Sequence, residues 1–262
     1  VENIRKAKRL IRNKGVVNLV QRIRDSLKYR ARHKIGQVLG RKGIRGFVYH
    51  YCVRGAFEEV HPNVSHEHEA IFIHIPKTAG TSVKNLVGLT PGMTMHTKPT
   101  NMVHKKTWKQ YTSFTIVRNP LDRFFSNYFF HTSPKYEGGL TSICPGLKEM
   151  GVREYFYRLK EVDSNHIDPQ HEFITHKYSS KILDHILKLD NIKNDIKKIC
   201  NIFGIKNCTM PRKNSSGKYK HKVQIEEETL EDIINYYQKD FDLFGYRIKD
   251  SKSLCKYIKV KK

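Results

Sequence analysis

The chain has 262 residues and a formal charge of +24, from 49 Lys/Arg against 25 Asp/Glu. Its apolar fraction of 38% and its many Tyr, Phe and Ile exclude a disordered polymer, and the length suits two small domains or one elaborated α/β domain. The charge excess argues for an anionic partner and excludes little about fold.

The excess sits at the ends. Residues 1–50 hold fifteen Lys/Arg and two acids, the last twelve residues hold five Lys and no acid, and the 200 residues between carry a net +6. Residues 1–60 are expected to form a basic helical N-terminal extension, with 61–262 as the α/β domain. Within the extension, Val16, Val17, Leu19, Val20, Ile23 and Leu27 fit one helical stripe flanked by Arg22, Arg24, Arg30 and Arg32. Such a helix suits either peripheral membrane contact through residues 1–50 or packing on its own domain. No run approaches eighteen apolar residues, so no transmembrane span is expected, and no signal peptide is visible.

Residues 61–69, "HPNVSHEHE", read as a polar linker. "AIFIHI", 70–75, reads as a buried strand, and "PKTAGTSVKNLVGL" as a loop entering a helix. "NMVHKKTWKQY" suggests a short helix, and "SFTIVRNP", 113–120, a second buried strand ending in a turn. A helix follows from Leu121. Residues 131–150 read as irregular and "VREYFYRLKEV" as helical. "DHILKLDNI" suits a strand, and "NIKNDIKKICNIFG" a helix capped by Gly204. "PRKNSSGKYK", 211–220, is a basic loop, and "EEETLEDIINYYQKDFDLFGY" reads as one long helix with acids at its start. Strands alternating with helices argue for α/β architecture with a central, mainly parallel sheet flanked by helices. Cys52, Cys144, Cys200, Cys208 and Cys255 are odd in number and lack CxxC spacing. They read as reduced structural thiols, with a disulfide left open. The sequons at Asn63, Asn207 and Asn214 are short enough to arise by chance.

Two segments carry chemistry. In "IFIHIPKTAGTSVKNL", 71–86, a strand runs into a tight turn and a helix. The turn exposes backbone N–H groups, Lys77 supplies an ammonium, Thr81 and Ser82 supply hydroxyls, and Gly80 permits close backbone approach. Together these form a phosphate cradle. The loop departs from GxxxxGK[ST], because Lys77 precedes the glycine, and this counts against an ATPase or GTPase. In "FTIVRNPLDRFFSNYFF", 114–130, Arg118 follows a strand, Asn119–Pro120 forces a turn, and Arg123 and Ser126 come at helical spacing. Arg118 suits bidentate phosphate binding and Ser126 offers a hydroxyl. Two anion loops after two buried strands suit a nucleotide with phosphate at both ends.

"HIPKTAGTS" with "FTIVRNPLDRFFSNY" resembles the PAPS-dependent sulfotransferases, nearest to the carbohydrate branch with heparan and chondroitin enzymes and small microbial relatives. The likeness extends through "DPQHEFI", 168–174, "GIKNCTMPRKNSSGKYKHKV", 204–223, and "YYQKDFDLFGY", 236–246, covering about 70–248. It implies a P-loop-containing nucleotide-hydrolase-like fold and PAPS as donor, with PAP as product and no metal required. By resemblance, Lys77, Thr78, Ala79, Gly80, Thr81 and Ser82 would hold the 5′-phosphate. Arg118 and Ser126 would hold the 3′-phosphate. Arg212, Lys213 and Lys218 would close over the nucleotide, with Tyr219 beside it, and Arg123 would support the second loop.

In-line sulfuryl transfer builds charge on the bridging oxygen, which Lys77 can stabilise, and takes a proton from the acceptor, which suits a His. Among fourteen histidines, His96 is favoured as base over His104. His74 reads as a packed strand residue, His171 and His176 could touch acceptor, and a carboxylate base stays open. The resemblance implies a sugar or glycan acceptor, and the basic surface favours an anionic one. Lys98, Lys105, Lys106 and Lys109 are candidates to line its approach. Nucleic acid is disfavoured, since no zinc-finger spacing or aromatic–basic alternation is present. The alternatives are an ATP-dependent phosphoryl-transfer P-loop enzyme and a noncatalytic polyanion binder. The compartment stays open between cytoplasm or membrane surface for a microbial or viral enzyme and Golgi lumen for a eukaryotic one.

Overall fold

The computed structural model describes residues 61–87, 89, 95–162, 164–206, 208 and 221–261. The expected basic extension (1–60) and the basic loop 211–220 lie outside the described residues.

The main sheet has four strands, β1 (Val64–Ser65), β2 (Ala70–Ile73), β3 (Thr112–Val117) and β4 (His185–Lys188), in that spatial order. β1 pairs antiparallel with β2, while β2–β3 and β3–β4 are parallel, with Phe72 opposite Phe114 and Thr115 opposite Ile186. Parallel neighbours need crossovers, and helices supply them. Between β2 and β3 lie α1 (Gly80–Leu86), α2 (Pro99–Met102) and α3 (Lys105–Gln110). Between β3 and β4 lie α4 (Pro120–His131), α5 (Leu140–Ile143) and α6 (Val152–Glu161). The architecture is therefore mixed α/β with a central, mostly parallel sheet flanked by helices.

After β4, α7 (Ile192–Ile202) ends where Gly204 takes φ +64°, with Ile205 N donating to Cys200 O at 2.8 Å. This is the left-handed C-terminal stop that glycine favours. The chain returns as β5 (Val223–Glu226), α8 (Glu227–Tyr236), α9 (Gln238–Phe244), α10 (Lys252–Tyr257) and β6 (Ile258–Lys261). β5 and β6 form a separate two-stranded parallel sheet.

Two apolar cores result. One surrounds the main sheet with Phe72, Ile73, Phe114, Ile116 and Trp108; the other gathers Phe124, Phe125, Phe129, Tyr155, Phe156 and Tyr237 around α4. Eleven of the twelve α4 residues are buried, so this helix lies inside the protein and Phe130 is its single exposed position. Asn119 caps it, accepting from Leu121 N at 3.1 Å and Asp122 N at 3.3 Å, with Pro120 at the first helical position.

Four expectations change. The "polar linker" at 61–69 contains β1, and His61 and Asn63 are buried there, with Asn63 Nδ2 donating to Met95 O at 3.0 Å. Asn63 is thus no accessible sequon. Residues 131–150 include α5. The long C-terminal helix is two helices, broken at Tyr237. The buried Tyr237 hydroxyl donates to Ile167 O at 2.5 Å, and Asp240 accepts from Gln170 N and His171 N at 2.6 and 2.8 Å. The bend serves both anchors. Finally, Cys200 and Cys208 form a disulfide, with Cα atoms 5.9 Å apart, while Cys144 and Cys255 are free. The bridge joins α7 to the segment that precedes the basic loop. Sequence spacing alone carried no such geometry.

Candidate active site

The loop leaving β2 makes an unusual turn. Lys77 and Ala79 both have φ of +65°, whereas Thr78 between them does not. Left-handed backbone costs a non-glycine residue about 1–2 kcal/mol, so the turn is held by its surroundings. Alternating handedness turns successive N–H groups toward one side, the backbone arrangement that makes an anion-binding concavity. Thr78 Oγ1 is spent inside the turn, donating to Ile75 O at 2.9 Å, and Ser82 N closes it onto Ala79 O at 3.0 Å. Ser82 is buried and Thr81 exposed. Gly80 is required for a reason the sequence did not reveal: a Cβ there would lie 2.0 Å from Cδ2 and 2.2 Å from Nε2 of His74.

The second loop meets the first. Arg118 donates from its guanidinium to Lys77 O at 3.3 Å. Gln170 clamps the Arg118 backbone, its Oε1 accepting from Arg118 N at 2.9 Å and its Nε2 donating to Arg118 O at 2.8 Å. The Lys77 ammonium lies 3.8 Å from the centroid of Phe130, a cation–π contact with the one exposed residue of α4. Ser126, buried, lies one helical turn before Phe130. Lys77, Arg118 and Phe130 of α4 therefore converge.

Arg123 is fully buried and donates to the carbonyls of His166, Ile167 and Asp168 at 3.2, 3.3 and 2.5 Å. Asn127 Nδ2 adds a bond to His166 O at 2.9 Å. This pair pins the 166–168 segment, so Arg123 acts as support.

Histidines fill the space beside Lys77. His96 Nδ1 bonds His74 O at 3.0 Å, and Asn165 Nδ2 donates to His96 O at 2.8 Å. A carbonyl can only accept, so Nδ1 carries the hydrogen and the neutral ring keeps its lone pair at Nε2. The His96 ring lies 4.5 Å from that of His74 and 5.6 Å from that of His166, and His166 lies 4.7 Å from His131. Burial first, then neighbouring charges, keep these rings neutral. His96 is lowered to about 4, with Lys77, Lys84 and Arg123 contributing against the bond to His74 O. His166 is lowered to about 4 by burial, His96, Lys77 and Arg123, and His131 to about 2 by burial, His166, Lys77 and His96. Burial also lowers Lys84, on α1, to about 8. Among the described residues no group of three His, Cys, Asp or Glu side chains is arranged to hold a metal ion.

Other candidates sit elsewhere. His104 is exposed and caps α3 through its Nδ1, which accepts from Lys106 N at 3.3 Å; it stands outside the histidine group. His176 is buried against Trp108, bonding Val103 O at 3.1 Å, and His171 is held by Asp240 at 2.7 Å. Lys98 is engaged by Asp168 at 2.6 Å and Glu172 at 2.5 Å; burial pulls its pKa down but these partners outweigh that and raise it. Lys105, Lys106 and Lys109 are exposed on α3. Arg212, Lys213, Lys218 and Tyr219 lie outside the described residues. Sequence reasoning assigned no role to His166, His131, Lys84 or Gln170, although Lys84 and Gln170 lie within quoted strings and His131 directly follows one.

A family model described as "Sulfotransferase family" matches residues 60–247. The chain belongs to the sulfotransferase family. The match takes in both loops, the histidine group and Gln170 of this sulfotransferase. Among curated proteins and among solved structures, nothing matches.

Proposed function

We propose that this sulfotransferase moves the sulfuryl group of PAPS to a hydroxyl of a carbohydrate or glycan, on a P-loop-like frame. The observation that carries the reading is the joined pair of loops: a strained turn at Lys77–Ala79 whose carbonyl is bound by Arg118, beside a His96 held in the tautomer with its lone pair at Nε2. The residues fit a donor with two phosphate ends. The backbone of the first turn and Lys77 would take the 5′ end, Arg118 and Ser126 the 3′ end. When bound, PAPS supplies an activated sulfuryl group on a phosphate leaving group.

The rest is done by the protein. Lys77 offsets charge on the bridging oxygen. His96 Nε2 accepts the acceptor's proton, and its low proton affinity keeps the ring neutral before each turnover. Arg123 and Asn127 hold the 166–168 wall in place. An anionic glycan acceptor and membrane contact through residues 1–50 belong to the same proposal, on charge alone.

The test is calorimetric titration with PAP and transfer of labelled sulfate from PAPS to a broad acceptor panel. PAP is expected to bind, Lys77→Ala to reduce transfer about 10²-fold or more, and His96→Ala to do likewise. Absence of PAP binding with intact fold, or ATP-dependent phosphoryl transfer in its place, would refute the reading.

A further inference from the structure

Arg118 stands one residue past the end of β3, whose last ladder pairs are Thr115 with Ile73 and Val117 with Lys188. Beyond the ladder, its backbone needs partners that a neighbouring strand would otherwise supply. The side chain of Gln170 takes that place: Oε1 accepts from Arg118 N at 2.9 Å and Nε2 donates to Arg118 O at 2.8 Å. A primary amide carries an acceptor and donors together, which complements a peptide edge. Gln170 is fully buried and opens a short 3-10 helix, Gln170–Phe173. That helix is fixed from three sides. Asp240, fully buried on α9, accepts from Gln170 N at 2.6 Å and His171 N at 2.8 Å. Arg123 holds Asp168 O at 2.5 Å just ahead of it. Phe173, at its far end, is buried in the core around the main sheet. The flanks of Arg118 are tied as well: Tyr246 OH donates to Val117 O at 3.3 Å, and Asn119 Nδ2 donates to Arg247 O at 3.2 Å.

We propose that Gln170 is a positioning residue for recognition of the donor's 3′-phosphate: its buried amide fixes the Arg118 backbone in the frame that the guanidinium needs, and Asp240 fixes the amide. This rests on the sulfotransferase reading, which gives the 3′ end to Arg118. The guanidinium donates to Lys77 O at 3.3 Å, so the residue is set by that bond at one end and by the clamped backbone at the other. A fork of donors recognises phosphate by geometry as well as by charge, and a small displacement forfeits the paired bonds. Gln170 acts through Arg118 and not on the nucleotide. Its side-chain bonds run to Arg118 alone, and none among the described residues runs to the Lys77–Ser82 turn that would take the 5′ end. Its contribution therefore falls on the 3′ end of the donor.

Calorimetric titration of the full chain with PAP and with AMP, which lacks the 3′-phosphate, isolates that end. The unmodified protein is expected to bind PAP about 10²-fold more tightly than AMP, and Arg118→Ala to remove most of that preference. Gln170→Met, which fills the same space without the two bonds, should weaken PAP about tenfold and AMP less than about twofold. Gln170→Asn, an amide too short to reach the Arg118 backbone, should do the same and serves if the Met variant does not fold. In the Arg118→Ala background either substitution should cost no further PAP affinity. Equal weakening of PAP and AMP, an unchanged PAP affinity, or the same loss repeated in the Arg118→Ala background would overturn this inference while the PAP preference of the unmodified protein stood. Equal affinity of the unmodified protein for PAP and AMP, or a PAP preference untouched by Arg118→Ala, would instead overturn the parent reading.

Discussion

Lowering the pH from 8 to 5 places a calculable load on the fold. His61, His96, His131 and His166 are held at about 3, 4, 2 and 4, in each case chiefly by burial. In the unfolded chain each returns to about 6.5. Between those values the unfolded chain binds more protons, so acidification favours unfolding. The contribution is complete above pH 6.5 and is lost as pH falls toward each folded value. Each ring loses about 1.4 kcal/mol per pH unit, so about 2 kcal/mol between pH 6.5 and 5. Four rings approach 8 kcal/mol, on the scale of a whole domain's stability of about 5–15 kcal/mol. Urea unfolding at pH 8, 7, 6 and 5 should show a plateau above pH 7 and a steep fall below 6. Ring proton resonances should not titrate near 6.5 while the protein stays folded. Constant stability down to pH 5, or four ordinary titrations near 6.5, would refute the burial argument.

Three substitutions test the frame around the site. Gly80→Ala drives a methyl into the His74 ring and should cost about 1–3 kcal/mol by thermal melt, with transfer impaired because His74 O holds His96. Asp122 is buried on α4 and accepts from Ser251 Oγ at 2.9 Å, Ser253 N at 2.7 Å and Lys252 N at 3.3 Å. Asp122→Ala should cost about 3 kcal/mol and expose the α10–β6 end to protease. Cys200→Ser, or a reductant, should lower stability by about 2–3 kcal/mol through loss of the Cys200–Cys208 loop closure, with an unchanged melt refuting the bridge's role.

What could be read from the sequence is local. β2, β3 and the turns after them were visible because an apolar run followed by Pro–Lys or Arg–Asn–Pro states its conformation within ten residues. α7 announced itself by its period and the Gly204 cap, and α4 by following directly on the Asn119–Pro120 turn. The C-terminal helix read as continuous because its break has no local cause: Tyr237 bends the chain to reach Ile167, 70 residues away. β1 escaped notice because two residues of strand cannot show alternation.

The sequence by itself therefore determined β2, β3, the turns after them and the family, since each is written in contiguous residues. Only the tertiary structure decided which histidines gather. His96 and His104 stand eight positions apart in one polar string; packing against His74 O draws one into the interior, and a helix start keeps the other at the surface. His131 and His166 joined the group through an α4 helix that is buried nearly all round and a segment pinned by Arg123. Burial and ring contact are properties of chain segments meeting in space, and they set proton affinity and tautomer. The charge of +24 is a property of composition, whereas the fold decided which imidazoles are buried and neutral.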